Sequence, residues 1–299
     1  MHAVDVGQEV PSRLVPHRSR SGFNYSQGDV TSEDFVARWC DEPLDVVFHL
    51  AAVVGVDRYC SDPLWTIDVN LQGTRNVGRV VEGRGIRLLY TSTSEVYGKN
   101  PQVPWSEDSE RVLGPTWVDR WAYGSSKAVG EQILLALGRN QRVPVTIVRY
   151  FNVYGQNQSP NLVVPSMIQR IHQGQPPLII GSGEETRCFT FISDAVEGTI
   201  RAATSDHGIG QVFNIGSDAE TRILDLANLI LRVAGRTDLT PSFVSGSEVY
   251  GSYENIQRRV PDVTKARRLL DWQATTPLEY GVQATFDDFV QQQTRTVCE

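Results

Sequence analysis

The 299-residue sequence predicts an α/β fold in which helices cover both faces of a doubly wound parallel sheet. Short apolar runs alternate with stretches of helical spacing along the chain. Three of these runs, residues 44–52, 86–98 and 143–155, end in small or polar residues. Because a parallel sheet binds its ligands at the carboxyl ends of its strands, the three endings predict one binding site.

The opening stretch MHAVDVGQEV has the form of a strand that ends in Asp5 and breaks at Gly7. In a dinucleotide-binding unit, the second strand ends in a carboxylate that binds the adenosine ribose. We therefore expect Asp5 to bind a cofactor. We also expect the first strand, the glycine-rich turn and the first helix of such a unit to be missing, which makes the predicted sheet N-terminally truncated.

The run at 44–52 is apolar on both faces, as a buried parallel strand is. Its last residues, Leu50, Ala51 and Ala52, are predicted to contact the cofactor. Asn70, which lies on the helix that follows, is a further predicted cofactor contact.

Helical spacing covers residues 64–82 and 121–137, and Gly138 is expected to stop the second helix. Two later stretches, 189–203 and 210–217, are predicted to rejoin the main sheet. They interrupt a region rich in proline and glycine that is typical of a smaller lobe.

The predicted domains are therefore discontinuous. A dinucleotide-binding domain comprises residues 1–155 plus about 188–216. A substrate-binding lobe comprises about 156–187 plus 217–299.

Composition limits the classes of partner. The formal net charge of −7 argues against binding to nucleic acid, which depends on a basic surface. The apolar runs are too short to span a membrane. The sequence shows no signal peptide, and its four cysteines have no spacing typical of a metal site, so we expect free thiols, no bound metal and a cytoplasmic location.

Tyr123 and Lys127 lie four residues apart in WAYGSSKAVGE, so on a helix they share a face. A nearby ammonium group is expected to lower the pKa of the phenol and to make it a useful general base. An ordinary contact along a helix face explains the pair equally well.

The stretch TSTSEVYG places hydroxyl groups and a carboxylate just past the end of a predicted strand. Such groups suit a sugar-binding site at the sheet edge. The alternative is that Ser94 and Glu95 only cap the next helix.

Four segments, residues 91–98, 119–127, 185–197 and 253–272, together resemble the extended short-chain dehydrogenase/reductases that act on nucleotide sugars. The resemblance is closest to the UDP-glucuronate decarboxylases, and it extends from Asp5 to about Phe289. It implies a Rossmann-like fold.

The resemblance also implies catalytic roles. Tyr123 corresponds to the base that removes the proton of the C4 hydroxyl, and Lys127 to the group that lowers its pKa and binds the nicotinamide ribose. Thr93 corresponds to a hydrogen-bond partner of the same hydroxyl. Ser94 and Glu95 correspond to the pair that acts near C5 and C6 of the sugar.

Other positions match binding residues of these enzymes. Arg259 matches the arginine that faces the substrate carboxylate, and Arg120 matches another substrate-side arginine. Asn152 and Arg187 match contacts to the diphosphate, and Tyr253 matches a nucleoside contact. For Arg187 and Arg259 a surface ion pair is the alternative.

The implied cofactor is NAD, with Asp29 on its adenine side. Asp5 favours NAD over NADP because its carboxylate would repel a 2′-phosphate. The resemblance further implies a homodimer formed by the helices at 64–82 and 121–137, although their apolar stripes could equally face their own sheet.

The implied reaction oxidises C4 of a nucleotide glucuronate and releases CO2, which leaves a 4-keto pentose or a xylose nucleotide. The segment FNVYGQNQSPN lacks the Gly-Pro-Arg usual in the family, so UDP and TDP both remain open.

Three alternatives stay in view. A nucleotide-sugar 4,6-dehydratase commonly carries Asp where this chain has Ser94, and a hydroxyl is too weak an acid to protonate leaving hydroxide. A C4 epimerase would give Glu95 no evident task. A noncatalytic nucleotide-sugar-binding remnant would follow from an incomplete cofactor site.

Overall fold

The computed structural model describes residues 1–7, 12–17, 19–40, 43–251 and 253–297. The strands are β1 His2–Asp5, β2 Asn24–Gln27, β3 Val46–His49, β4 Arg87–Thr93, β5 Val145–Tyr150, β6 Val153–Tyr154, β7 Leu178–Ile180, β8 Thr186–Cys188, β9 Thr190–Phe191, β10 Val212–Ile215, β11 Glu220–Arg222, β12 Ser242–Val244 and β13 Arg258–Arg259. The α-helices are α1 Glu33–Trp39, α2 Val56–Ser61, α3 Pro63–Val80, α4 Trp121–Gln141, α5 Val163–His172, α6 Ile192–Thr204, α7 Ile223–Val233, α8 Gly246–Tyr250, α9 Thr264–Leu270 and α10 Leu278–Val297. Short 3-10 helices cover Ser12–His17, Ser94–Tyr97 and Asp206–Gly208.

A parallel sheet with the strand order β10-β5-β4-β3 forms the centre of the molecule. Successive residues of β4 point to opposite faces, because side chains alternate along a strand. Leu88 and Tyr90 join a core with Leu134 of α4, whereas Leu89 joins a core with Phe213 of β10. The sheet is therefore buried on both faces, which confirms the predicted α/β class.

The predicted strand at the start of the chain is present as β1. It pairs in parallel with β2, and the two form a sheet of their own among the described residues. Asn76 of α3 fastens this part to the rest, because its side-chain amide donates hydrogen bonds to the carbonyl oxygens of Val30 and Thr31.

Two local predictions are wrong. Gly138 does not stop α4, which continues to Gln141 and ends where Arg142 adopts a left-handed conformation with φ 56°. A glycine inside a helix costs only about 1 kcal/mol, which the packing of the long helix outweighs. In the stretch 189–203, β9 pairs with β6 rather than with the main sheet, although α6 packs on that sheet and β10 joins it as predicted.

Smaller sheets follow β6. They have the orders β11-β8-β13 and β12-β7, and α5, α7 and α10 pack against a separate apolar core. In the first of these sheets, Arg259 of β13 lies directly beside Arg187 of β8. Two arginines far apart in the sequence are thereby placed side by side.

None of the helices in the described ranges is long and apolar enough to cross a membrane. Cys60 and Cys188 carry free thiols, as predicted, and Cys298 lies outside the described residues.

Candidate active site

The site begins where β4 ends. Thr93 closes the strand and caps the 3-10 helix that follows, because its hydroxyl accepts a hydrogen bond from the Glu95 amide at 3.2 Å. Thr93 therefore caps this turn, and the carboxylate of Glu95 is available for other partners. Helix α4 approaches closely: a Cβ at Gly124 would lie 2.6 Å from the Glu95 carbonyl oxygen.

Glu95 is buried between two arginines. An Nη of Arg259 lies 2.6 Å from one carboxylate oxygen, and an Nη of Arg120 lies 3.3 Å from each of the two. Burial alone would raise the pKa of Glu95, but Arg120 and Arg259 outweigh it and lower the pKa from 4.5 to about 2. The carboxylate is thus held ionised inside the protein.

Arg187 adds a third positive charge near Glu95. Its guanidinium group donates hydrogen bonds to the Thr186 carbonyl at 2.7 Å and to the Asn255 side chain at 3.4 Å. Burial, together with the charges of Arg259 and Arg120, lowers the pKa of Arg187 to about 9. Burial is the larger cause, and the neighbouring positive charges add to it.

Several donors of this cluster point at no acceptor. Nε and Nη1 of Arg120 and Nε of Arg259 are buried without a hydrogen-bond partner among the described residues. Glu95 is the one carboxylate that the described residues pair with Arg120 and Arg259, and Arg187 adds a further positive charge, so the cluster carries more positive than negative charge. Unsatisfied buried donors are costly, which makes the cluster suited to bind an anion.

Tyr123 lies beside this cluster, on α4, and is buried. Burial and the Glu95 carboxylate raise the pKa of the phenol, and a hydrogen bond with the Thr93 side chain acts in the opposite direction. The prediction that Lys127 lowers the pKa of Tyr123 is therefore wrong. Tyr123 and Thr93 nevertheless face the same compartment, as the sequence predicts.

Lys127 points elsewhere. Its ammonium nitrogen lies 4.1 Å from the centroid of the Tyr90 ring, and within the described part of the chain it donates no hydrogen bond. Burial lowers the pKa of Lys127 from 10.5 to about 7, while Glu131, one helical turn further on, acts to raise it. A buried ammonium group without a hydrogen-bond acceptor suits the hydroxyl groups of a ribose.

Tyr59 belongs to the site, and sequence analysis misses it. Its ring stacks on that of Tyr123, with centroids 5.3 Å apart and planes at 3°. It comes from α2, directly after the small residues that follow β3. The signal that the sequence offers for it is an aromatic residue in the first helix after β3.

The residues predicted to bind the adenosine end lie apart from this cluster. Asp5, the last residue of β1, and Asp29, which follows β2, are exposed, and each accepts a hydrogen bond from the amide two residues further on. Leu50 and Ala51 are also exposed, after β3. These positions leave the carboxyl edge of the strands open to a cofactor.

Two further predicted residues, Asn70 and Asn152, are engaged within the protein. The Asn70 side chain accepts from the Val53 amide and donates to Ser126, both at 3.0 Å, so it ties α3 to α4. Asn152 donates to the Cys188 carbonyl at 3.3 Å, near Arg187.

Tyr253 lies under Arg120, whose guanidinium carbon is 4.7 Å from the ring centroid. It also lines a cavity of about 550 Å³ with Phe243 and Asn255. Ser94 is buried next to Glu95.

A tyrosine, a threonine and a cluster of arginines thus lie together at the carboxyl edge of a parallel sheet, where they suit an anionic ligand. Residues 2–216 match the model of the NAD dependent epimerase/dehydratase family, and the chain belongs to this family of extended short-chain dehydrogenase/reductases.

Two relatives are similar over most of the chain. The chain is 38% identical over 249 residues to a UDP-N-acetyl-alpha-D-glucosaminuronate decarboxylase of Bacillus cytotoxicus, which covers 82% of this chain and 76% of the relative. It is 34% identical over 254 residues to UDP-glucuronic acid decarboxylase 1 of Xenopus tropicalis, which covers 83% of this chain and 58% of the relative. The chain thus spans a little over half of the second relative's length.

Among solved structures, the chain resembles a UDP-glucuronic acid 4-epimerase from Bacillus cereus in complex with UDP-glucuronic acid and NAD. The TM-score is 0.86 at 27% identity, with 97% of this chain and 91% of that chain covered.

Proposed function

We propose that the protein is an NAD-dependent decarboxylase of UDP-hexuronates, which oxidises C4 of the sugar and releases its carboxylate as CO2. One observation carries the proposal: the cluster of Arg120, Arg187 and Arg259 around Glu95 adjoins Tyr123 and Thr93. A uronate and a diphosphate are anions, and the cluster holds more positive charge than Glu95 neutralises. The names of both curated relatives, which are decarboxylases of UDP-uronates, support the same substrate class.

The carboxylate of the sugar would bind to Arg259 and Arg120. Both have buried donors that are unused within the described residues, so substrate binding satisfies groups that are costly to leave unpaired. Arg187 and Asn152 would hold the diphosphate, and Tyr253 would contact the nucleoside.

Tyr123 and Thr93 would act on the C4 hydroxyl. The threonine side chain interacts with the phenol, so both groups can reach one substrate oxygen. Burial and Glu95 raise the pKa of the phenol. Proton removal by Tyr123 therefore requires that this pKa fall when substrate and cofactor bind.

The residues present fit NAD. Lys127, a buried ammonium group without a described acceptor, would bind the nicotinamide ribose; Asp5 and Asp29 would bind the adenosine end. Asp5 would also disfavour the 2′-phosphate of NADP. When bound, the cofactor accepts hydride from C4 and is able to return it.

Loss of CO2 follows from the carbonyl at C4. The carboxylate lies β to this ketone, so its C–C bond breaks with the electron pair delocalised into the ketone as an enolate. Protonation at C5 then gives the 4-keto pentose. The protein contributes orientation and charge, and Ser94 and Glu95 lie next to Thr93 to act at this end of the sugar.

We extend the proposal to organisation and location. The division into a dinucleotide-binding domain and a substrate lobe is supported by the separate apolar cores of the two regions. A homodimer is supported by exposed apolar side chains on α3 and α4, namely Leu64, Trp65 and Val129. A cytoplasmic location agrees with the free thiols of Cys60 and Cys188.

The test incubates the protein with NAD and, in parallel, with UDP-glucuronate, UDP-N-acetylglucosaminuronate and UDP-glucose. Mass spectrometry is expected to find a pentose nucleotide from at least one uronate, with loss of CO2. A 4-keto-6-deoxy sugar from UDP-glucose would assign a dehydratase. An isomer of unchanged mass, separated from the substrate by chromatography, would assign an epimerase. Tight binding without turnover would assign a noncatalytic protein.

A further inference from the structure

The buried side-chain amide of Asn214 connects the two chain segments that carry the Arg259–Glu95 ion pair. Glu95 stands on the 3-10 helix Ser94–Tyr97, whereas Arg259 stands on β13. These segments are far apart in the sequence, yet the two charged atoms lie 2.6 Å from one another. Something must fix the distance between their backbones.

Asn214 of β10 contacts both segments. Tyr97, two residues after Glu95, donates a hydrogen bond from its hydroxyl to Oδ1 of Asn214 at 2.7 Å. Nδ2 of Asn214 donates to the carbonyl oxygens of Asp262 at 3.1 Å and of Trp105 at 2.8 Å. Asp262 is three residues after Arg259.

Trp105 strengthens the link to the Arg259 segment. Its amide donates to the Val260 carbonyl, and its own carbonyl accepts from the Asp262 amide, both at 2.8 Å. Asn214 thus holds Trp105, and Trp105 holds the residues directly after Arg259. The side chains of Asn214, Trp105 and Tyr97 are fully buried.

The chemistry of the neighbours fixes the orientation of the amide. Both carbonyl oxygens only accept, so the NH2 group must face them. Arg149 donates to the Tyr97 hydroxyl at 2.8 Å, which leaves that hydroxyl to donate its proton to Oδ1 of Asn214. No other side chain of this size offers one acceptor and two donors in this arrangement.

We infer that Asn214 is a positioning residue that sets the distance between Arg259 and Glu95 and, through it, recognition of the substrate carboxylate. This inference rests on the proposed function, because it takes Arg259 as the carboxylate ligand. Asn214 itself is not a catalytic residue, since its polar atoms are engaged within the protein.

The test compares binding of UDP-glucuronate with binding of UDP-glucose, which carries a hydroxymethyl group in place of the carboxylate. The protein is loaded with NADH, so that C4 is not oxidised, and dissociation constants are measured by calorimetry. Asn214→Asp turns a donor towards two carbonyl oxygens into an acceptor. We expect it to reduce the preference for UDP-glucuronate at least about tenfold, equivalent to about 1.4 kcal/mol.

Asn76→Asp is the matched control. Asn76 is equally buried, donates to two carbonyl oxygens at 3.0 and 2.9 Å and accepts from Gln72 at 2.8 Å, but it lies between α3 and the segment after β2. The Asn76→Asp variant is expected to be less stable than wild type but to keep the preference for UDP-glucuronate over UDP-glucose. Tyr97→Phe is a milder change, because it removes only the hydroxyl that donates to Asn214. It is expected to reduce the preference for UDP-glucuronate as Asn214→Asp does, and it replaces Asn214→Asp in the test if that variant does not fold.

The outcomes separate the inference from the proposed function. Absence of CO2 release by the wild-type protein with NAD would refute the proposed function. The role of Asn214 would be refuted if Asn214→Asp and Tyr97→Phe both kept the preference for UDP-glucuronate. It would also be refuted if Asn76→Asp lost as much of that preference as they do. Both conclusions hold even if the wild-type protein releases CO2. A wild-type protein that does not prefer UDP-glucuronate would refute it as well.

Discussion

Replacing Glu95 by Gln tests the electrostatics of the arginine cluster. In the folded protein the pKa of Glu95 is about 2 instead of 4.5. At about 1.36 kcal/mol for each pKa unit, this difference means that the site favours the ionised carboxylate by about 3 kcal/mol. Because Glu95 is buried, solvent screens little of this energy.

Glu95→Gln is therefore expected to lower the free energy of unfolding by at least about 3 kcal/mol, because two buried arginines, Arg120 and Arg259, then lose their carboxylate partner. Urea unfolding at pH 7 measures the change. Glu197→Gln is the control: it removes the same charge from an exposed pair with Arg201 at 2.7 Å, where about 0.5 kcal/mol is expected.

The pH dependence has a defined sign. The pKa of Glu95 is lower in the folded than in the unfolded protein, so its contribution is fully present above about pH 4.5 and is lost as the pH falls towards 2. The difference in unfolding free energy between wild type and Glu95→Gln should be constant between about pH 5 and about pH 8. Equal losses for Glu95→Gln and Glu197→Gln would show that the arginine cluster does not stabilise the ionised carboxylate of Glu95.

Three further changes probe the neighbouring groups. Tyr123→Phe is expected to reduce kcat for CO2 release at least about 100-fold. The affinity of the NADH-loaded variant for UDP-glucuronate should change less than about threefold. A variant as active as wild type would show that Tyr123 is not the catalytic base. Lys127→Met removes an ammonium group whose pKa is lowered by burial to about 7. The variant should therefore be more thermally stable than wild type below pH 7, and this gain should shrink as the pH rises above 7. A gain that grows with pH would contradict this expectation. Tyr59→Ala should lower kcat/KM about tenfold, whereas Tyr59→Phe, which keeps the stacked ring, should not; equal effects would show that the stacking on Tyr123 is unimportant.

Patterns along the chain predict the sheet and the edge at which the site lies. Apolar runs that end in polar residues identify β3, β4 and β5, and the parallel order confirms them. The same reasoning places Thr93 and Tyr123 in one compartment, because one closes a strand and the other lies on the helix that packs beside it. Spacing and strand ends are local properties, which a sequence displays directly.

The pKa values of Tyr123 and Lys127 are not local properties, and the prediction made for them from sequence spacing is wrong. Lys127 is four residues from Tyr123, but its ammonium group lies over Tyr90, and burial decides the pKa of both groups. The burial of a side chain depends on segments that the four-residue spacing does not include. The end of α4 beyond Gly138 is a similar case, since packing outweighs the propensity of one residue.

The positioning network is also invisible in the sequence. Asn214 meets Tyr97, Trp105 and Asp262, which come from three separate segments. No periodicity relates these positions, and each residue alone is an ordinary component of a strand or loop. Only the folded chain shows that they share one amide.

The central claim is that the site removes C6 of a UDP-hexuronate after oxidation at C4. The most direct measurement supplies the NAD-loaded protein with UDP-glucuronate labelled with carbon-13 at C6 and follows the label by NMR. We expect the label to leave as carbon dioxide and bicarbonate while an unlabelled pentose nucleotide forms. Retention of the label in a converted nucleotide sugar would contradict it.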